Sequence, residues 1–312
     1  MLAHRDDNQS KCIGELTFKN EVIGVRLRRD RVVVVLNTKV YVYRFSDLKL
    51  VDQIPTIHNP KALVALCADP SNNVLAVPGI TKGSIRVELY DMSKSTDIKA
   101  HDSDLAQFAL NPDGSRLATS SDKGTLVRLW DCHTGEQLRE FRRGMDRAEI
   151  YSICFDPFTN FLACSSDKGT VHIFSLGEPT AATIAGGGGG VSNGSNTSTP
   201  AKGAADSTGE GAYGDSGKVA ETNDADTNTA NKSLGIASVL RGMLPPAIFP
   251  KYLTSEWSFA QVRGIEGKSI CAFDKTGTKI HVVCSDGTFI VSAVEEGSDG
   301  SRLQTTKFYS EE

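Results

Sequence analysis

A six-residue phrase occurs twice in this chain: Ser120-Ser-Asp-Lys-Gly-Thr125 returns as Ser165-Ser-Asp-Lys-Gly-Thr170, 45 residues later. Each copy follows a short apolar run (116–119 and 161–164) and precedes another (126–130 and 171–174), so each reads as a turn between two strands. A second mark, Asp/Asn-Pro at the end of a strand, falls at Asp69-Pro70, Asn111-Pro112 and Asp156-Pro157, with spacings of 42 and 45 residues. Ser285-Asp-Gly-Thr288 is a worn third copy of the turn, and Leu129-Trp130-Asp131 fits the Trp-Asp ending of a repeat. A period of about 40–45 residues with four short strands per unit is the mark of a propeller blade, which buries its apolar faces only by stacking on its neighbours. The expected fold is all-β, a WD-repeat-type β-propeller.

β-branched content and turn punctuation divide the chain into five four-strand sets, at about 21–56, 62–101, 105–143, 150–264 and 269–311. One further strand, Cys12–Phe18, precedes them, making 21 strands in all. A seven-bladed ring would need about 28. The expectation is a propeller short of strands at its N-terminal end.

Charge narrows the functional classes. The net charge is −4, with no global field to drive the chain onto nucleic acid. The imbalance sits between Gly177 and Lys232, where seven acidic residues face three lysines; the remainder balances at 31 against 31. Any anion binding must therefore come from local basic geometry. The seven cysteines form no CxxC pair and no metal-like spacing, and most lie in apolar runs, which reads as buried free thiols of a reducing compartment. No apolar run reaches the ~20 residues of a spanning helix. Nor is there a GxSxG, HExxH, P-loop or nucleotide-binding glycine turn, so neither an enzyme nor a cofactor or metal site is expected.

Residues 177–232 are rich in Gly, Ser, Thr, Ala and Asn and include the run Gly186–Gly190. Such a stretch buries too little apolar surface to offset its own ordering, and is expected to be a disordered insertion within the fourth set. The next segment, 233–253, places Ile236, Val239, Leu240, Met243 and Leu244 at helical spacing before Pro245-Pro246, followed by Ile248 and Phe249. A short, basic, amphipathic stretch tipped with aromatics suits the headgroup region of a bilayer; the alternative is packing against the propeller side.

The sharpest site signal is Phe141-Arg142-Arg143-Gly144. Neighbouring side chains on a strand point to opposite faces of the sheet, so two adjacent arginines serve two separate pockets. Each flanking copy of the repeated turn can supply one pocket with hydroxyls and N–H groups, the donors that suit a phosphate monoester. A solvated arginine pair on an outer strand is the plainer reading. His101 and His172 stand where either could donate to a headgroup, although a strand histidine is more often simply packed.

These residues resemble a known family. Phe-Arg-Arg-Gly between two Ser-Asp-Lys-Gly-Thr turns, then Val171-His-Ile-Phe174 and Ser255-Glu-Trp-Ser-Phe-Ala-Gln261, is similar to the PROPPINs, seven-bladed WD-repeat phosphoinositide-interacting proteins of autophagy. Cys12-Ile-Gly-Glu-Leu16, Val25-Arg-Leu-Arg-Arg-Asp-Arg31 and Asn59-Pro60-Lys61 resemble the subgroup that engages the lipid-transfer scaffold of autophagosome growth. The resemblance implies binding of phosphatidylinositol 3-phosphate and 3,5-bisphosphate at two sites. Site one would use Arg142 with His101, Ser121, Thr125 and Arg128; site two would use Arg143 with Ser166, Thr170, His172 and Arg147. It further implies that the segment from Ile236 to Phe249 inserts into the bilayer. The expected protein is a cytoplasmic monomer, peripheral on phagophore and endosomal or vacuolar membranes. Relative to the family, the first blade and most of the second are missing, and the polar insertion is unusually long.

Overall fold

Runs of β-branched residues pair into antiparallel sheets throughout the computed structural model, which describes residues 2–6, 11–177, 255–296 and 302–307. A hairpin of β1 (Leu2–Asp6) and β2 (Lys11–Leu16) comes first. Four strands then meander into a first blade: β3 (Val22–Leu27), β4 (Arg31–Leu36), β5 (Lys39–Arg44) and β6 (Leu50–Pro55). The second blade comprises β7 (Ala65–Leu66), β8 (Val74–Pro78), β9 (Ser84–Leu89) and β10 (Lys94–Lys99). The third contains β11 (Leu105–Leu110), β12 (Arg116–Ser121), β13 (Leu126–Asp131) and β14 (Gln137–Arg142). The fourth contains β15 (Ile150–Phe155), β16 (Phe161–Ser166) and β17 (Thr170–Ser175).

When the chain re-enters the described region it first adds β18 (Glu256–Trp257) to the outer edge of the third blade, parallel to β14. It then completes the fourth blade with β19 (Ala260–Arg263). The fifth blade is β20 (Ser269–Phe273), β21 (Lys279–Cys284), β22 (Thr288–Ala293) and β23 (Arg302–Lys307).

Consecutive blades share apolar cores, which is why second strands such as Arg116–Ser121 are buried on both faces. Val33, Val35 and Val42 of the first blade meet Leu75 and Val77 of the second. Ile85, Val87 and Ile98 meet Phe108, Leu117 and Trp130 of the third. Phe141 meets Phe174 of the fourth with ring centroids 5.0 Å apart. Ile173 and Val262 meet Ile280 and Val282 of the fifth.

All five sets fall where the repeat placed them. The structure corrects the strand count: 23 strands are described, because β1 and the two-residue β18 lie outside the expected pattern. The chain divides into two units, and every described residue belongs to the one formed by Met1–Gly177 and Pro250–Glu312. The expected loop 178–232 and the segment carrying Ile236 to Phe249 lie outside the described residues. Cys67, Cys132, Cys164 and Cys271 are buried free thiols, Cys284 is buried as well, and burial pushes the Cys132 thiol up to about 12. Among the described residues no cluster of His, Cys, Asp or Glu is placed to hold a metal ion.

Candidate functional site

Arg142 is the last residue of β14, and Arg143 follows it, its N–H still bonded to Thr125 O. Alternation along this strand is fixed by its partners: Phe141 packs into the core shared with the fourth blade, so Arg142 points the other way and Arg143 returns to the fourth-blade side. The contacts agree with that divergence. Arg142 Nη2 lies 3.4 Å from Ser255 Oγ, whose hydroxyl donates to Glu140 Oε1 at 2.8 Å. Glu140 in turn holds Arg128, whose Nη1 donates to Ala100 O of the second blade at 2.7 Å. Arg143 Nε donates to Gly124 O at 2.8 Å, and its Nη2 donates to Asp146 O.

What sets these two apart is burial without a counter-charge; among the described residues Arg26 and Arg29 also hold no carboxylate within 4 Å, but both are exposed. Arg28, Arg44, Arg86, Arg116, Arg128, Arg139 and Arg147 each hold a carboxylate within 4 Å. Among the described residues neither Arg142 nor Arg143 does. Arg143 is only 5% exposed, and burial lowers its pKa from the ordinary value, yet a guanidinium stays charged under all ordinary conditions. A buried cation satisfied only by neutral carbonyls carries a desolvation cost that an arriving anion would offset. Arg142 Nε is buried with no hydrogen-bond partner among the described residues, a donor whose desolvation goes uncompensated.

The repeated turn is the scaffold for this geometry. Gly124 takes φ +64°, and a Cβ there would stand 1.9 Å from Ala148 O, so only glycine lets the incoming loop pass so close. Thr125 O accepts the N–H of Arg143 at 3.0 Å, and Ser121 O accepts that of Gly124 at 2.9 Å. Arg143 is therefore tethered to the third-blade turn, while Arg142 pairs with Leu126 in the ladder and reaches Ser255. The sequence expectation set Arg143 beside the fourth-blade turn; its guanidinium bonds here go to Gly124 O and Asp146 O. Arg147, expected in the same site, pairs with Asp122 of the third-blade turn at 2.9 Å.

The fourth-blade residues approach from the other side. Ser166 is buried, Thr170 lies opposite Arg263 in the ladder, and His172 Nδ1 stands 3.4 Å from Ser258 Oγ. Burial, with the nearby charges of Arg143 and Arg263, depresses the His172 pKa to about 4. The Arg143 charge thus reaches His172, and Arg263 belongs to the same neighbourhood. Arg263 and Ser255 escaped the sequence reading because each follows the long insertion, and only sheet pairing returns them to the arginines.

His101 plays a packed role. Its Nε2 is 2.9 Å from Thr119 Oγ1, which also accepts the indole N–H of Trp130 at 2.9 Å. Burial and the Arg128 charge depress its pKa to about 4. It forms the wall behind Arg128, not an open donor. A nearby cleft of about 420 Å³ holds Asp122, Glu149 and Asp167 beside Arg147 and Lys61. Its three carboxylates disfavour a phosphate, and neither arginine of the pair lines it.

Comparison with known proteins fits this architecture. The PROPPIN family model matches residues 5–186. Autophagy-related protein 18e of Arabidopsis thaliana is 47% identical over 171 residues, 55% of this chain and 46% of that protein. Autophagy-related protein 18 of Mycosarcoma maydis is 31% identical across 92% of this chain and 72% of its own length. Apart from that fungal protein, the matches span about half the length of the curated relatives (46% of the Arabidopsis protein, 48% of that of Yarrowia lipolytica). Among solved structures, Kluyveromyces lactis Hsv2 superposes with TM-score 0.64 at 19% identity, covering 98% of this chain and 79% of that one. KlAtg21, solved in complex with the coiled coil of AgAtg16, superposes with TM-score 0.66 at 20% identity, covering 98% and 77%. Five stacked four-strand blades, a family match over more than half the chain and a fungal relative aligned along most of it lead to one assignment: the chain belongs to the PROPPIN family.

Proposed function

We propose that this chain is a non-catalytic peripheral membrane effector that binds phosphatidylinositol 3-phosphate and 3,5-bisphosphate and serves as a scaffold in autophagosome formation. One observation carries the reading: two adjacent arginines at the end of β14 on opposite faces of the third blade, both without a carboxylate partner among the described residues, Arg143 buried and Arg142 with a buried, unsatisfied Nε. A phosphomonoester supplies the missing charge and accepts bidentate guanidinium bonds. Site one uses Arg142 with Ser121 and Thr125, walled by Arg128 and His101. Site two uses Arg143 with Ser166, Thr170 and His172, and Arg147 exchanges its exposed pairing with Asp122 for the lipid. Ile236, Val239, Leu240, Met243, Leu244, Ile248 and Phe249 would add insertion from the neighbouring segment. The autophagy-related names of the relatives support the cellular role, at phagophore and endosomal or vacuolar membranes.

Two weak sites on one body gain affinity through effective concentration, so losing both should be decisive. Arg142→Ala with Arg143→Ala is expected to abolish co-sedimentation with vesicles carrying phosphatidylinositol 3-phosphate while leaving the far-ultraviolet spectrum unchanged. Undiminished sedimentation of the double variant would refute the reading. The KlAtg21 complex supports a protein partner in addition, and the lipid-transfer scaffold of autophagosome growth is the one proposed. A propeller that bound only proteins through the arginine pair would keep its partner in the presence of soluble inositol phosphates.

A further inference from the structure

An exposed tryptophan stands beside the first arginine. In the parallel pairing of β18 with β14, Phe141 lies opposite Glu256 and Arg142 opposite Trp257. Glu256 is clamped on the fourth-blade side by Arg139, whose guanidinium also lies 4.9 Å from the Phe141 ring. Ser255 and Trp257, one residue to either side, therefore share the opposite face with Glu140 and Arg142, and the Ser255–Glu140 hydrogen bond bears this out. Trp257 is 49% exposed, although a large aromatic ordinarily finds cover. Two residues beyond Arg143, Met145 is 78% exposed.

We infer that Trp257 is a membrane-contacting side chain of the Arg142 site, its indole lying at the headgroup–acyl boundary while Arg142 takes the phosphate below it. This rests on the phosphoinositide reading above and extends it to a residue outside the segment 233–253. The charge pattern selects a lipid surface as the occupant. The aromatic is in register with a guanidinium that lacks a carboxylate partner, so the patch offers an anion site and an apolar body side by side. Tryptophan favours such boundaries, where its ring leaves water and its N–H stays hydrogen-bonded. The chain approaching β18 comes directly from the amphipathic segment, so both apolar features adjoin in sequence.

The chain holds two tryptophans, and the other, Trp130, is buried and donates to Thr119, so emission changes on vesicle binding report Trp257. With phosphatidylcholine vesicles carrying phosphatidylinositol 3-phosphate, the expected result is a blue shift and quenching by lipids doxyl-labelled near the headgroup. Both signals should vanish in Trp257→Phe. Trp257→Ala should weaken vesicle binding by about tenfold, the scale of a partly buried aromatic. Its affinity for soluble inositol 1,3-bisphosphate should stay unchanged, which also shows that the variant is folded. Vesicle binding without shift or quenching, or with full affinity in Trp257→Ala, overturns the inference and leaves the phosphoinositide reading standing. Failure of the unmodified chain to bind the vesicles, or loss of inositol phosphate binding in Trp257→Ala, overturns it as well; only the former also fells the phosphoinositide reading.

Discussion

Arg143 and the two histidines show how burial sets chemistry in this protein. A guanidinium kept from water without a carboxylate is poised for an anion, whereas an imidazole in the same surroundings sheds its proton. His101 and His172 are both depressed to about 4, chiefly by burial and then by neighbouring arginines. The unfolded chain takes up protons at these positions below about 6.5, where the folded chain still refuses them. Their contribution to stability is therefore complete above pH ~6.5 and is lost as pH falls toward ~4. Between about pH 7 and about pH 5 the loss should be on the order of 2 kcal/mol per histidine. Urea melts at the two pH values measure it. His172→Gln should flatten the dependence; an unchanged slope would show that His172 is not held neutral.

At the scale of the element, the repeated turn does the positioning, and its glycines are not equivalent. Gly124 and Gly169 both take positive φ, but a Cβ would meet Ala148 O at 1.9 Å in the first and Ile265 O at 3.0 Å in the second. Gly124→Ala should therefore cost more than roughly 2 kcal/mol, and Gly169→Ala about 1 kcal/mol, in denaturant melts. Equal costs would mean that the close approach at Ala148 does not matter. The strands were legible because the turn recurs and β-branched runs alternate with it. β18 was not, since two residues have no periodicity and their parallel pairing to β14 spans more than a hundred positions. The divergence of the arginines could be read from strand geometry alone. The tethers of Arg143 could not: the Gly124 and Asp146 carbonyls are backbone atoms, invisible to side-chain patterns, and the carboxylates on Arg128 and Arg147 depend on the β13–β14 register and on the path of the loop after β14.

For the whole molecule, blades that share cores act as one stiff body, so the two proposed anion sites on either side of the third blade keep a fixed separation. In the proposed function, that rigidity turns two weak headgroup contacts into a stable seat on a membrane. It also makes the two sites separable by experiment, because each arginine faces a different neighbouring blade. The most direct measurement is calorimetric titration of the chain with soluble inositol 1,3-bisphosphate. Two equivalents should bind the unmodified chain and one should bind either Arg142→Ala or Arg143→Ala, with none left in the double variant. A single equivalent in the unmodified chain, or complete loss in either single variant, would contradict the picture of two independent cradles built on one strand.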